Sequence, residues 1–362
     1  MKNNKVKVLT IGSDSSVKGG ITTVINSFLN YKFEDIELEL LPTYIETNNF
    51  KKITFFFKSL IVYIKKNIKN DFDIAHIHMS YKGSFIRKYL IFLITKLFKK
   101  KVILHLHGSE FEVFYKNSNF ILKKMIKDIL KKSDLVIVLG EKWKNVIQEI
   151  EPSANVKIFN NSVPVPKYKV GLNDNGFNIL FLGVLIKRKG IYDLIEAIKI
   201  LNDSGVLEKY NVKFTIGGSG KEKEEIENKI SDYNLDSVID MVGWVDGELK
   251  ESLLKNSQLF VLPSYNEGLP MAILEAMSYG IPVISTEVGS IGEVVCNYKT
   301  GFTFKPGDIN SLVQYIEKLI TEKQLWYEMS GNCKKSIEED FNEEKYFYKV
   351  EKEYKKLIEK EY

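Results

Sequence analysis

The sequence predicts an α/β protein with two parallel sheets in separate halves of the chain, and three observations predict it. Short apolar runs alternate with helical patterns from end to end, as repeated strand–helix units do. At 362 residues the chain is long for one core and natural for two. The stretch from Asn160 to Gly176, with Pro164, Pro166 and several polar residues, interrupts the alternation once, as a linker would.

In the first half, strands are expected at Val6–Ile11, Ile36–Leu41, Ile74–Ile77, Val102–Leu106, Leu135–Leu139 and Val156–Phe159. Most of these are short, nearly continuous apolar runs, the pattern of a strand covered on both faces. The second half restarts at Asn178–Leu182 and continues through Lys213–Ile216, Val238–Val242, Leu259–Leu262, Pro282–Ser285 and Gly301–Phe304. Pro270 suits the first position of a helix and Gly280 its end. Glu343 to Tyr362 reads as one charged amphipathic helix. The expected division is residues 1–163, residues 164–340 and a terminal helix over 341–362.

A hydrophobic content of 44% with 27% charged residues describes a globular chain rather than a disordered one. Cys296 and Cys333 have no paired spacing, so a reducing compartment without structural disulfides is expected. The start, Met-Lys-Asn-Asn-Lys-Val-Lys-Val-Leu, lacks the apolar core of a signal peptide. Ile53 to Ile64 and Tyr89 to Phe98 are about half the length of a membrane span, and each contains a Lys. A cytoplasmic protein is expected.

Net charge is split between the halves. Residues 1–165 hold 27 Lys and Arg against 15 Asp and Glu, while residues 166–362 hold 25 against 32. The basic residues cluster beside apolar helical stretches, as at Lys51-Lys52, Lys65-Lys66, Lys99 to Lys101 and Lys131-Lys132. That pattern suits peripheral binding to anionic lipid headgroups at about 1 kcal/mol per well-placed cation. Solvated helix faces explain it equally well. Nucleic acid fits less well, because no recognised binding module accompanies the charge.

Ligands of open parallel sheets bind beyond the carboxyl ends of the strands, so the loops leaving the expected strands are where chemistry is sought. Glu267 lies on the loop after Leu259–Leu262, and Glu275 lies more than a turn into the next helix among Ile273, Leu274, Ala276 and Met277. A carboxylate there is costly to bury unless it is hydrogen-bonded. A vicinal diol could satisfy both oxygens, and a surface Glu on an ordinary helix is the plain alternative. The loop Ile186 to Gly190 joins Lys187, Arg188 and Lys189 to a helix start near Ile191, a combination that favours an anion over a merely solvated turn. Gly19 and Gly20 follow the first strand and would allow close approach of a phosphate or sugar, although their spacing is not the dinucleotide fingerprint. All four histidines fall in two His-x-His pairs, His76/His78 and His105/His107, each on one face of its strand. They could hold zinc in principle, but no Cys or acid accompanies them at convincing spacing, so a structural or cleft-lining role is preferred.

The segment Leu262 to Ser285, built around Glu267 and Glu275, resembles the signature of the retaining glycosyltransferases of family 4, which have the GT-B fold. Phe181 to Gly190 resembles their phosphate-binding loop, and Ile216 to Gly220 their second glycine turn. Val242 to Val245 falls where the family lines the base pocket, and Glu287 to Val295 and Gly301 to Asp308 continue the likeness. The first half matches more loosely, through Gly19-Gly20, His107-Gly108 and Asn161. The resemblance implies two Rossmann-like domains facing across a cleft, the first for the acceptor and the second for a nucleotide sugar, with the terminal helix crossing back onto the first.

By the same resemblance, Lys189 holds the donor diphosphate, Glu267 with Gly268, Leu269 and Pro270 meets the donor sugar, and Glu275 takes the ribose. His107 faces the donor sugar, Arg188, Gly183, Gly218, Trp244, Gly19 and Gly20 complete the donor side, and His78 lies on the acceptor side. Glu293 matches a family position that a capping role explains as well. Val184 stands where the family usually has a second basic residue, so either Arg188 or Lys187 supplies that charge or the phosphate is held less tightly. Asp71-Phe72-Asp73 has the form of the metal motif of a different glycosyltransferase fold, but reads as a loop entering a strand. No metal and no cofactor is expected. The implied activity is retaining transfer from a nucleotide sugar, with UDP favoured, to a lipid-linked glycan of a capsule, exopolysaccharide or O-antigen. A soluble acceptor is the alternative among enzymes, and a non-catalytic nucleotide-sugar-binding subunit is the alternative that Val184 favours.

Overall fold

The computed structural model describes residues 5–172 and 176–359. Residues 1–4, residues 173–175 of the expected linker and the last three residues of the expected terminal helix lie outside the described residues. The chain forms two compact units: one runs to Asn161 and resumes at Glu344, the other spans Ser162 to Glu343.

The first unit is a six-stranded parallel sheet of β1 (Val6–Gly12), β2 (Ile36–Pro42), β3 (Ile74–Met79), β4 (Lys101–Leu106), β5 (Leu135–Val138) and β6 (Val156–Ile158). Its spatial order is β2-β1-β3-β4-β5-β6. The chain therefore moves outward from β1 to β2, then returns to the other side of β1 at β3. Such a reversal opens a crevice at the carboxyl ends of β1 and β3. Pro42, which cannot donate to a ladder, is tolerated because β2 is an edge strand. β3 runs two residues past its expected end, because His78 and Met79 pair with His105 and Leu106 of β4. Both members of the His76/His78 pair therefore lie inside a strand, on one face of the sheet.

Helices α1 (Gly20–Asn30), α2 (Asn49–Lys69) and α3 (Gly83–Leu97) follow β1, β2 and β3. The helix Glu343–Glu359 closes this unit. Phe347 meets Phe28 of α1 edge to face at 4.9 Å, the Tyr354 hydroxyl lies 2.6 Å from His76 Nδ1, and Lys355 pairs with Asp35 at 2.6 Å. Tyr346, Phe347, Val350 and Tyr354 recur at three- and four-residue steps and are the buried face of that helix.

The second unit repeats the architecture with β7 (Phe177–Leu182), β8 (Val212–Gly217), β9 (Ile239–Gly243), β10 (Leu259–Leu262), β11 (Val283–Thr286) and β12 (Gly301–Phe304), in the order β12-β11-β10-β7-β8-β9. Here the reversal falls between β7 and β10. The helix after β10 spans Met271–Ser278, so Pro270 is its cap and not its first residue. With ψ at 127°, Pro270 is still extended. Gly280, at φ 75°, ends the turn that follows, where a side chain would be strained.

Candidate functional site

The loops at the β7/β10 reversal are fitted to each other by glycine. After β7 the chain makes a single 3-10 turn, Lys187–Lys189, and Gly190 adopts φ 71°. A Cβ at Gly190 would stand 1.9 Å from the Pro263 carbonyl oxygen, so only glycine lets this turn rest on the loop after β10. Two hydrogen bonds then lock the loops: Tyr265 N–H donates to the Arg188 carbonyl at 2.8 Å, and Arg188 Nη1 donates to the Asn266 carbonyl at 2.7 Å. The outcome is that Lys189 Nζ lies 2.5 Å from Glu267 Oε1, which also accepts from Ser264 Oγ at 2.7 Å. Glu267 is 7% exposed. A buried pair of this kind is weak evidence for stability, but removing one partner leaves a charge without compensation.

The neighbouring loops complete the same end of the sheet. Gly218 N–H donates to the Gly243 carbonyl at 2.6 Å, and a Cβ on Gly218 would meet the Gly183 carbonyl at 1.9 Å. On the other side, a Cβ on Gly289 would meet the Glu267 carbonyl at 2.0 Å, and Ser290 N–H donates to the Gly268 carbonyl at 2.8 Å. Trp244 follows β9, and its Nε1 donates to Asp246 at 2.9 Å. Leu269 is buried below the start of the Met271–Ser278 helix. Glu275, on that helix, is held by Lys250 at 2.7 Å. Val184 is 37% exposed, and Arg188 spends one of its donors on the loop itself.

The first unit gathers Gly19, Gly20 and His78 at its own reversal, between β1 and β3, and His107 directly after β4. The four histidines stack: His78 Nδ1 lies 2.9 Å from His107 Nε2, and His76 Nε2 lies 3.3 Å from His105 Nδ1. Burial pushes His76 and His107 down to about 3 and His78 and His105 well below the usual imidazole range, so all four are neutral at pH 7. Ligand atoms of His76, His78 and His105 lie within 4.8 Å of one another, close enough to share an ion. In the Asp71-Phe72-Asp73 stretch, Asp73 accepts from the Lys7 N–H at 2.8 Å and Phe72 is buried, as a loop entering β3 requires.

The structure thus brings Lys189, Arg188, Gly183, Gly218, Glu267, Gly268, Leu269 and Pro270 to the carboxyl end of the second sheet, with Trp244 after β9 and Glu275 in the helix beyond. Two participants, and one buried charge of the first unit, escaped the sequence reading. Ser264 had a visible signal in standing three residues before Glu267, whereas Lys250 had no local one. Lys88 had the clearest: it occupies the buried stripe Phe85, Lys88, Phe92, Thr95 of α3, where a charge is out of place.

A family model described as glycosyl transferases group 1 matches residues 166–339. The capsular polysaccharide biosynthesis glycosyltransferase CapM of Staphylococcus aureus is 31% identical over 244 residues, covering 67% of this chain and 60% of that protein. The UDP-Gal:alpha-D-GlcNAc-diphosphoundecaprenol alpha-1,3-galactosyltransferase of Escherichia coli is 28% identical over 303 residues, covering 79% of this chain and 76% of that protein. Among solved structures, Anabaena Alr3699/HepE in complex with UDP-glucose superposes with a TM-score of 0.75 at 16% identity, covering 98% of this chain and 99% of that one. At such identity the likeness shows the fold, which is the GT-B architecture of two parallel-sheet domains.

Proposed function

The chain is of the glycosyltransferase class through its glycosyl transferases group 1 domain over residues 166–339, and from that premise we propose that it transfers a sugar from a UDP-sugar to a hydroxyl of a lipid-linked glycan in surface polysaccharide synthesis. The observation that carries the proposal is the buried pair of Lys189 and Glu267 at the β7/β10 reversal. An ammonium has three N–H donors and Glu267 takes one, so the others can meet a diphosphate. Charge develops on that diphosphate as the glycosidic bond breaks, and a fixed cation stabilises it without a metal. Glu267, with the Gly268 and Leu269 amides, then serves the sugar hydroxyls and Glu275 the ribose. Retention of configuration follows from front-face attack, with the leaving phosphate assisting deprotonation of the acceptor hydroxyl. UDP is supported by the UDP-glucose complex of the HepE neighbour.

Two observations support the lipid-linked acceptor. One relative is named for a diphosphoundecaprenol substrate. The first unit also exposes apolar stripes at helical spacing: Phe50, Ile53, Phe57 and Ile61 on α2, and Ile86, Leu90, Leu93 and Leu97 on α3, each between 41% and 78% exposed. Lys51, Lys52, Lys58 and Lys65 stand among the first of these. Apolar residues with interleaved cations suit the surface of an anionic bilayer. Among the described residues no helix is long and apolar enough to cross a membrane, so the contact proposed is peripheral.

The test is release of UDP from candidate UDP-sugars by the purified chain, with and without a lipid-diphosphate glycan. Release that requires this acceptor supports the proposal. Turnover confined to soluble sugars contradicts the lipid-linked part, and tight UDP-sugar binding without any turnover contradicts catalysis and favours a binding subunit.

A further inference from the structure

At the reversal of the first sheet a cavity of about 330 Å³ opens beside the loops that leave β1 and β3. That size falls within the range of small-ligand sites. Lys18, Arg87 and Lys88 line it, and no carboxylate is among its lining residues. Lys88 is 3% exposed, and the contacts of its ammonium are neutral oxygens, the Thr43 hydroxyl and, at 3.5 Å, the Gly12 carbonyl. A buried ammonium without a counter-charge is costly. Burial, with Arg87 beside it, accordingly holds Lys88 well below the usual lysine range. Arg87 Nε is buried without a hydrogen-bond partner, and the guanidinium lies 5.2 Å from the Tyr44 ring centre. His78 lines the same cavity, is 2% exposed, and has no partner at Nε2.

The N-terminus of α1 forms another wall. Gly19 and Gly20 line the cavity there, and nothing stands within 4 Å of a Cβ built on either. Free amides at a helix start favour an anion. Cations, orphaned donors and a helix start around one cavity therefore ask for a ligand with negative charge and several acceptor oxygens.

We propose that this cavity is a phosphate site for the acceptor, taking the diphosphate that joins a glycan to its lipid carrier, with Arg87 and Lys88 as counter-charges and His78 as a further hydrogen-bonding group. The assignment to the acceptor rests on the lipid-linked reading above, and it departs from the resemblance, which gives Gly19 and Gly20 to the donor side. The anion site itself rests only on the first unit.

Two measurements separate these claims. The first uses inorganic pyrophosphate and needs no acceptor. In a Lys189→Met chain, which lacks the ammonium paired with Glu267, calorimetry should still detect pyrophosphate binding, and adding Arg87→Gln or Lys88→Met should weaken it about tenfold or more. Arg87 is only half-buried, so Arg87→Gln keeps the test valid if Lys88→Met does not fold. Binding that is absent, or indifferent to Arg87→Gln, overturns the site. The second compares the same glycan on a lipid diphosphate and on a neutral alkyl chain. Arg87→Gln should raise KM for the diphosphate acceptor about tenfold, with KM for the neutral acceptor and the UDP-sugar changing less than about twofold. An equal rise on both acceptors, or a rise for the UDP-sugar, contradicts the acceptor assignment. Arg87-dependent pyrophosphate binding in a chain that turns over only soluble sugars contradicts the lipid-linked reading while leaving the anion site in place.

Discussion

Replacing Lys189 by Met keeps the aliphatic stem and removes the ammonium that lies 2.5 Å from Glu267. The two side chains are 16% and 9% exposed, so solvent replaces the lost partner only in part. Glu267 then keeps the Ser264 hydroxyl but no cation among the contacts described. Breaking a buried pair from one side costs about 3 kcal/mol or more. With a urea dependence of about 2 kcal/mol per molar, the midpoint should fall by about 1.5 M. Trp244 and Trp326 belong to the second unit and report its unfolding by fluorescence. Turnover should fall about 10²- to 10³-fold, as for other fixed groups that stabilise developing charge. Pairing Lys189→Met with Glu267→Gln separates the two effects, because it removes the uncompensated charge without restoring the cation. The double variant should regain most of the lost stability and none of the activity. A double variant as active as the parent, or a single variant unchanged in both midpoint and rate, would refute the reasoning.

Three further outcomes are expected. Gly190→Ala forces a Cβ toward the Pro263 carbonyl at a φ of 71°, so the loop must move and carry Lys189 off Glu267; kcat should drop sharply while β7 and β10 remain intact by circular dichroism. His76 and His107 titrate near 3 in the fold against about 6.5 when unfolded, so the unfolded chain binds more protons between those values. Their contribution is fully present above about pH 6.5 and is lost as pH falls toward 3, at about 1.4 kcal/mol per pH unit for each; urea midpoints at pH 7 and pH 5 check the sign, and a higher midpoint at pH 5 would oppose it. Phe57→Asp with Leu93→Asp, both on exposed faces, should abolish sedimentation with anionic vesicles and leave the thermal midpoint unchanged.

The twelve strands among the described residues were legible because most are apolar runs bounded by turn residues, a signal carried by local sequence. Their ends moved where pairing decided them: β3 gained His78 and Met79 from its register with β4, which no local pattern reveals. The loop chemistry was legible at Lys189 and Glu267 because charge beside glycine at a strand end is unusual. The meeting of the two was not, since it depends on Gly190 and Pro263 approaching across 73 positions of chain. Lys250 beside Glu275 is of the same kind, a contact between successive strand–helix units. Lys88 was legible in principle, as the one charge on the buried stripe of α3, and was hidden by its basic neighbour Arg87.

The central claim is that the β7/β10 reversal grips the diphosphate and sugar of a UDP-sugar. A crystal structure of the chain with a bound UDP-sugar tests it most directly. Phosphate oxygens within hydrogen-bond reach of Lys189 Nζ and a sugar hydroxyl on Glu267 are expected. A nucleotide sugar seated away from both side chains would contradict it.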